Sequence, residues 1–170
     1  MKKFFLVLLI LFGTLSGYSQ SADGRYLSRM TRDGMLYFIY PKKLGKLSGI
    51  KHFDYDVTLL NWTDSATINF TFESKNMSVP ESIRIIADSD TISCDSYSPL
   101  YIDIKKNNYE IRITSKFTIS DIKKIFSSLA SPVFLIEQDK TIERATYSEN
   151  AWKKDRKKLI DILNLYNYSK

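Results

Sequence analysis

The strictest constraint on this chain is an alternation of apolar and polar residues, repeated through its middle with turn residues between the repeats. From Ile50 to Asn61, Phe53, Tyr55, Val57 and Leu59 fall on one side, and His52, Asp54, Asp56 and Thr58 on the other. Ala66 to Lys75 repeats the pattern, with Ile68, Phe70 and Phe72 opposed to Thr67, Asn69, Thr71 and Glu73. A period of two residues is that of a β-strand with one buried face. Only Trp62, Thr63, Asp64 and Ser65 separate the two segments, so they are expected to form an antiparallel hairpin.

Further strand segments flank this pair. Met35 to Tyr40 is an apolar run ended by Pro41, followed by a basic loop from Lys42 to Gly49. Ser82 to Ala87 and Thr91 to Cys94 flank the turn at Asp88-Ser89-Asp90. Leu100 to Lys105 alternates Leu100, Ile102 and Ile104 against Tyr101, Asp103 and Lys105; a turn at Lys106-Asn107-Asn108 leads into Tyr109 to Phe117. Such closely spaced strands predict an antiparallel sandwich or roll.

The last third changes period. Thr118 and Asp121 have capping-box spacing, and Ile119, Ile122, Ile125, Phe126 and Leu129 recur as on one face of a helix. Pro132 ends that pattern. Pro132 to Glu137 and Thr141 to Tyr147 are expected to pair around Gln138-Asp139-Lys140. Ser148 then caps a final helix running to about Tyr166, with Trp152, Leu159, Ile160, Leu163 and Tyr166 toward the body. The fold class expected is therefore α+β: an antiparallel β-sheet core of about seven to nine strands with two helices in the C-terminal third.

The amino terminus carries an address. Lys2 and Lys3 precede the unbroken apolar run Phe4 to Phe12, and Gly13 to Gln20 is small and polar. This is the layout of a secretory signal peptide. The run is shorter than the roughly 20 apolar residues of a spanning helix, and no second stretch is long enough. Cleavage after Ser19 is expected, leaving a polar lead-in over residues 20–34 and one globular domain over 35–170. The mature protein is expected in the periplasm or the medium, with no transmembrane segment.

Composition excludes several chemistries. One cysteine, Cys94, and one histidine, His52, exclude a disulfide framework, a cysteine zinc site and multi-histidine metal sites. Cys94 shares a strand face with Ile92 and reads as a buried thiol rather than a nucleophile paired with His52. No dinucleotide fingerprint, phosphate-binding glycine loop, HExxH or GxSxG motif occurs. No cofactor is expected. The asparagines in Asn61-Trp-Thr, Asn69-Phe-Thr, Asn76-Met-Ser and Asn167-Tyr-Ser match the glycosylation pattern and read as chance in a chain rich in Asn, Ser and Thr.

Two constellations remain. His52, Asp54 and Asp56 share one strand face and form a candidate metal site, opposed to the simpler reading of a solvated sheet face. The second is the start of the final helix: Trp152 followed by Lys153, Lys154, Arg156, Lys157 and Lys158. The whole chain has a formal charge of +6, and residues 151–170 hold six basic and two acidic side chains, so the body of the mature protein is balanced. This basic element is the expected partner surface. Its candidate partners are an acidic protein surface, anionic lipid head groups or an anionic polysaccharide, and nucleic acid is not expected. These features point to a small exported binding or envelope-accessory protein without catalysis. The alternatives are a secreted hydrolase of envelope polymers, with scattered carboxylates such as Glu73, Asp88, Asp90, Asp103, Glu137 and Glu143 as its material, and a periplasmic inhibitor or immunity protein.

Overall fold

The computed structural model describes residues 24–94 and 96–170. The segment proposed as a signal peptide lies outside the described residues. Eleven strands and two helices follow in the order β1 (Tyr26–Met30), β2 (Met35–Lys43), β3 (Lys46–Ser48), β4 (Phe53–Leu60), β5 (Ser65–Ser74), β6 (Ser82–Ala87), β7 (Asp90–Ser93), β8 (Tyr97–Lys105), β9 (Asn108–Thr118), α1 (Ile119–Ser127), β10 (Val133–Gln138), β11 (Thr141–Thr146) and α2 (Glu149–Tyr168). Six strands form one sheet in the order β1-β2-β4-β5-β9-β8, and five form a second in the order β3-β11-β10-β6-β7. All neighbours are antiparallel. The fold is α+β, with two strands beyond the upper end of the expected range.

The alternating pattern sets the register. Phe53 pairs with Phe72, Tyr55 with Phe70 and Val57 with Ile68, so both apolar sets of β4 and β5 land on one face. A slip of one residue would turn every one of them outward. Phe134 of β10 closes the space between the sheets, its ring centroid 5.1 Å from those of both Phe53 and Tyr55 and 6.2 Å from that of Phe70. Its neighbour Ile136 and the β6 residues Ile83 and Ile85 complete that core. At the β10–β11 turn, Asp139 and Lys140 both have positive φ, the conformation of a type I′ hairpin.

The helices extend the core. Thr118 Oγ1 accepts from the Asp121 backbone N–H at 3.1 Å, and Asp121 Oδ2 accepts from the Thr118 N–H at 3.2 Å, so α1 begins with the expected capping box. The other end of α1 is held by α2. Trp152 Nε1 donates to Ser128 O at 3.1 Å, and Arg156 donates to Ser127 O through Nε at 3.1 Å and Nη2 at 2.9 Å. These satisfy carbonyls that a helix end leaves without partners, with a cation at the negative end of the dipole. The loop that follows is clamped by Asp88, which accepts from the Leu129 and Ala130 N–H groups at 2.9 Å each. Those backbone donors hold the Asp88 carboxyl below its ordinary range.

Asn61 ties the far end of α2 to the β1–β2 turn. Its Oδ1 accepts from Met35 N at 2.9 Å, and its Nδ2 donates to Ser169 O at 2.6 Å. Gly34, at φ +143°, makes this possible, because a Cβ there would strike the Asn61 side chain.

Four local expectations are corrected. The polar lead-in contains a strand, β1, paired with β2 through Tyr26↔Ile39. The basic loop contains β3, which pairs with β11. Leu100 and Ile104 are 52% and 78% exposed: the register of β8 on β9 shifts between Pro99 and Tyr101, leaving Leu100 without a partner, and Ile104 stands at the hairpin end of this edge strand. In the helices, Leu129 lies beyond the end of α1 and is exposed, and Ile162 rather than Ile160 takes the buried position in α2.

Candidate binding cleft

The basic segment of α2 divides by helical phase. Trp152, Asp155, Leu159, Ile162, Leu163 and Tyr166 form the buried stripe. Lys154, Lys157 and Lys158, related by three and four residues, form a second stripe and line a cleft. Lys153 lies away from it and pairs with Glu149 at 3.3 Å, one helical turn earlier. Arg156 turns to α1, as described above. The six residues expected to form one partner surface therefore part company. Trp152 is 1% exposed and packs on Tyr147 with ring centroids 5.2 Å apart, so it belongs to the core and not to a surface. An indole at the start of an amphipathic helix gains more from burial than from solvent, provided its N–H has an acceptor, and Ser128 O supplies one.

Asp155 anchors the floor of the cleft. Arg25, immediately before β1, donates to it through Nε at 2.8 Å and Nη2 at 3.1 Å, a bidentate ion pair. Arg25 Nη1 donates to Tyr40 O, fixing the course of β2 beside it. Tyr147 Oη donates to Asp155 Oδ2 at 3.0 Å, and the Tyr147 and Tyr55 hydroxyls share a hydrogen bond of 2.6 Å. The network thus runs from the cleft floor into the core between the sheets. Burial is the main cause that pushes the Tyr55 hydroxyl up to about 12, with Arg25 opposing it. Burial likewise holds Tyr147 well above its ordinary value. For Arg25, burial works to lower the pKa, and Tyr55 and Asp155 more than offset it.

The cleft has a volume of about 700 Å³. One wall is Arg25, Tyr40, Pro41 and Lys42; the other is the lysine stripe of α2 with Asp161. Five cations and two carboxylates border it, and one of those carboxylates, Asp155, is matched by Arg25. Among the described residues, Lys42, Lys154 and Lys157 take part in no ion pair. The cleft is a cationic recess whose one buried carboxylate is neutralised from below.

The other candidate constellation does not assemble. His52 Nε2 and Asp54 Oδ2 lie 2.8 Å apart. Asp56 is occupied elsewhere: it is 0% exposed, accepts from Asn69 Nδ2 at 2.7 Å and binds Arg112, which reaches from β9 across β5. The outward face of a sheet spaces i and i+2 side chains about 7 Å apart. The intervening Arg112 takes Asp56 out of the set. Among the described residues, no group of three or more His, Cys, Asp or Glu side chains is placed to hold a metal ion. Cys94 is buried, with Sγ 2.8 Å from Ser115 Oγ.

Sequence reasoning missed Arg25, Tyr40 and Lys42 as cleft residues. Nothing local marks them, because the wall is made by strand pairing. It also missed the buried role of Asp155. The signal was present: Asp155 stands three residues after Trp152 and four before Leu159, on the apolar stripe.

Compared with family models, curated proteins and solved structures, the chain matches none. The fold and the cleft themselves define its class: a two-sheet α+β protein with a lysine-lined recess between an early strand and the C-terminal helix.

Proposed function

We propose that the protein is a small exported binding protein, acting in the periplasm or outside the cell, that takes an anionic ligand into the cleft between β2 and α2. The observation that carries this reading is the convergence on one recess of Lys42 from β2 and Lys154, Lys157 and Lys158 from α2. Lysines act as strongly hydrated point charges and bind anions without demanding one geometry. Holding like charges together on one helical face is unfavourable by a few tenths of a kcal/mol per pair, about 0.2–0.5. An anion in the cleft relieves it. The Arg25–Asp155 pair beneath keeps α2 at a fixed distance from β2 and prevents the recess from closing.

Titration calorimetry of the purified protein with anionic probes, at low and high salt, tests this reading. Binding is expected at low salt and should weaken as screening shortens the Debye length from about 30 Å at 0.01 M to about 8 Å at 0.15 M. Lys154→Gln with Lys157→Gln should reduce affinity about tenfold, the equivalent of about 1.4 kcal/mol. Lys153→Gln, on the other flank of α2, should leave it unchanged. Equal affinity in all three proteins would refute the cleft as the binding site.

A further inference from the structure

We infer that the ligand of the cleft is a linear acidic polysaccharide, held first in the recess and then along a basic strip beside β3. The inference rests on the reading of the cleft as an anion site and adds the shape and class of the anion.

The first support is the arrangement of charge. Lys154 and Lys157 are separated by about 4.5 Å along the helix axis, at 1.5 Å rise per residue, and Lys42 stands on the opposite wall. Lys154 and Lys157 thus stand in a row on one wall of the recess, a spacing that suits charges repeated along a chain. Cavities of about 300–1,000 Å³ accept bodies of drug size. One of about 700 Å³ is far larger than a lone carboxylate or phosphate needs.

The second support is a neighbouring recess of about 460 Å³, lined by residues of β3 and β11 including Lys46 and Arg144. Lys46 pairs with Thr146 and Ser48 with Arg144, so Lys46, Ser48, Arg144 and Thr146 share one strand face. The opposite face carries Leu47 and Ala145, which pack into the core. That places the cation-bearing face outward. Only Lys43 and Leu44 separate Lys42, in the first recess, from Gly45, in the second, a span of at most about 11 Å. An extended polyanion can therefore continue from one recess to the other.

The shape and composition of the two recesses select among polyanions. A bilayer presents a plane, and interfacial protein elements meet it with apolar side chains inserted below the cations. Here the lysines line concavities. Protein interfaces are depleted in lysine and enriched in arginine and aromatics at their centres. Here lysine predominates. Single-stranded nucleic acid is held by several stacked aromatic rings, whereas the main cleft has only Tyr40. Repeated cations suit the repeated carboxylates of an acidic glycan, and Tyr40 and Pro41 add apolar surface to the same wall.

Calorimetry of the purified full chain with oligogalacturonates of one, two, four and eight units, which carry one carboxylate per unit, is the test. Affinity should rise steeply from two to eight units. Lys46→Gln with Arg144→Gln should lower the affinity for the octamer about fivefold and leave the dimer unchanged. Lys154→Gln with Lys157→Gln should weaken both. Equal affinity per charge at every length, or an octamer indifferent to the Lys46/Arg144 variant, overturns the polysaccharide inference while the cleft stands as an anion site. Preference for anionic vesicles, or for a single-stranded DNA of equal charge, overturns it in the same way. Failure of every anion to bind overturns both readings. All four substitutions are at side chains that face solvent, and circular dichroism confirms that each variant is folded.

Discussion

Among the described residues two carboxylates are buried, and they are buried in opposite settings. Asp155 lies on the inward stripe of α2, above the inter-sheet core, and its partner Arg25 is nearly as buried, at 7% side-chain exposure. Asp56 lies on the outward face of the six-stranded sheet, under Arg112, whose side chain is 22% exposed. Each is satisfied by a guanidinium and a neutral donor: Tyr147 for Asp155, Asn69 for Asp56. The difference lies in what the arginine does when the acid is lost. Arg112 can turn its head into solvent along its aliphatic stem. Arg25 is fixed by Tyr40 and enclosed by α2, with much less access to water.

That difference orders the expected effects. Asp155→Ala leaves a cation buried without its partner and should cost about 3–5 kcal/mol in urea unfolding. Asp56→Ala should cost about 1–3 kcal/mol, the range for one unsatisfied buried group, because Arg112 escapes to water. Equal losses would break the distinction. Replacing the inner pair together, Arg25→Met with Asp155→Leu, should recover most of the loss from Asp155→Ala, since removing both charges also removes the desolvation cost.

The tyrosines sharpen the picture. Tyr147→Phe deletes the donor to Asp155 and one side of the bond to Tyr55, and should cost about 1–2 kcal/mol. In a spectrophotometric titration, Tyr55 should ionise only near pH 12, well above the ordinary tyrosine value of 10.0. The sign follows from the raised folded pKa. The folded state holds the Tyr55 proton more tightly than the unfolded chain, so this contribution is fully present below pH 10 and is lost as the pH rises toward 12. A single tyrosine transition at the ordinary value, in protein that is still folded, would contradict the enclosed network.

The smallest effect concerns an acid without a partner. Glu143 packs against Gly49, its Oε2 is buried without a hydrogen bond, and burial raises its pKa. The folded state therefore favours the protonated acid, and ionisation is a liability to stability that grows as the pH rises above the ordinary value of 4.5. Glu143→Gln should raise the melting temperature slightly at pH 8 and lose that advantage at pH 4. An advantage that persists at pH 4 would mean that the gain is one of packing.

Much of this architecture was legible because strand and helix periods differ. The β4–β5 pairing, the α1 capping box, the β10–β11 hairpin and the Ser148 cap all lie in local patterns, and the structure carries each of them. β1 and β3 were not legible, since Tyr26–Met30 and Lys46–Ser48 are short, mixed in polarity and made strands only by distant partners. The failure at β8 has a different cause: its register on β9 shifts at Leu100, and of its alternating apolar residues Ile102 alone packs against the core. For the cleft, half was visible. The cleft lysines of α2 lie within five residues of sequence, whereas the opposing wall depends on where β2 passes after the irregularity in register between Ile39 and Lys42.

The Arg25–Asp155 pair also joins residues 130 positions apart. A growing chain presents Arg25 long before Asp155 exists to meet it. Until α2 arrives, β1 has its ladder to β2 but not the ion pair that fixes it to the rest of the core. Topologies dominated by such distant closures fold slowly and expose sticky intermediates. The ion pair under the cleft is therefore a late latch, and a chain of this design is at its most vulnerable to proteases and to its own copies in the interval before that latch engages.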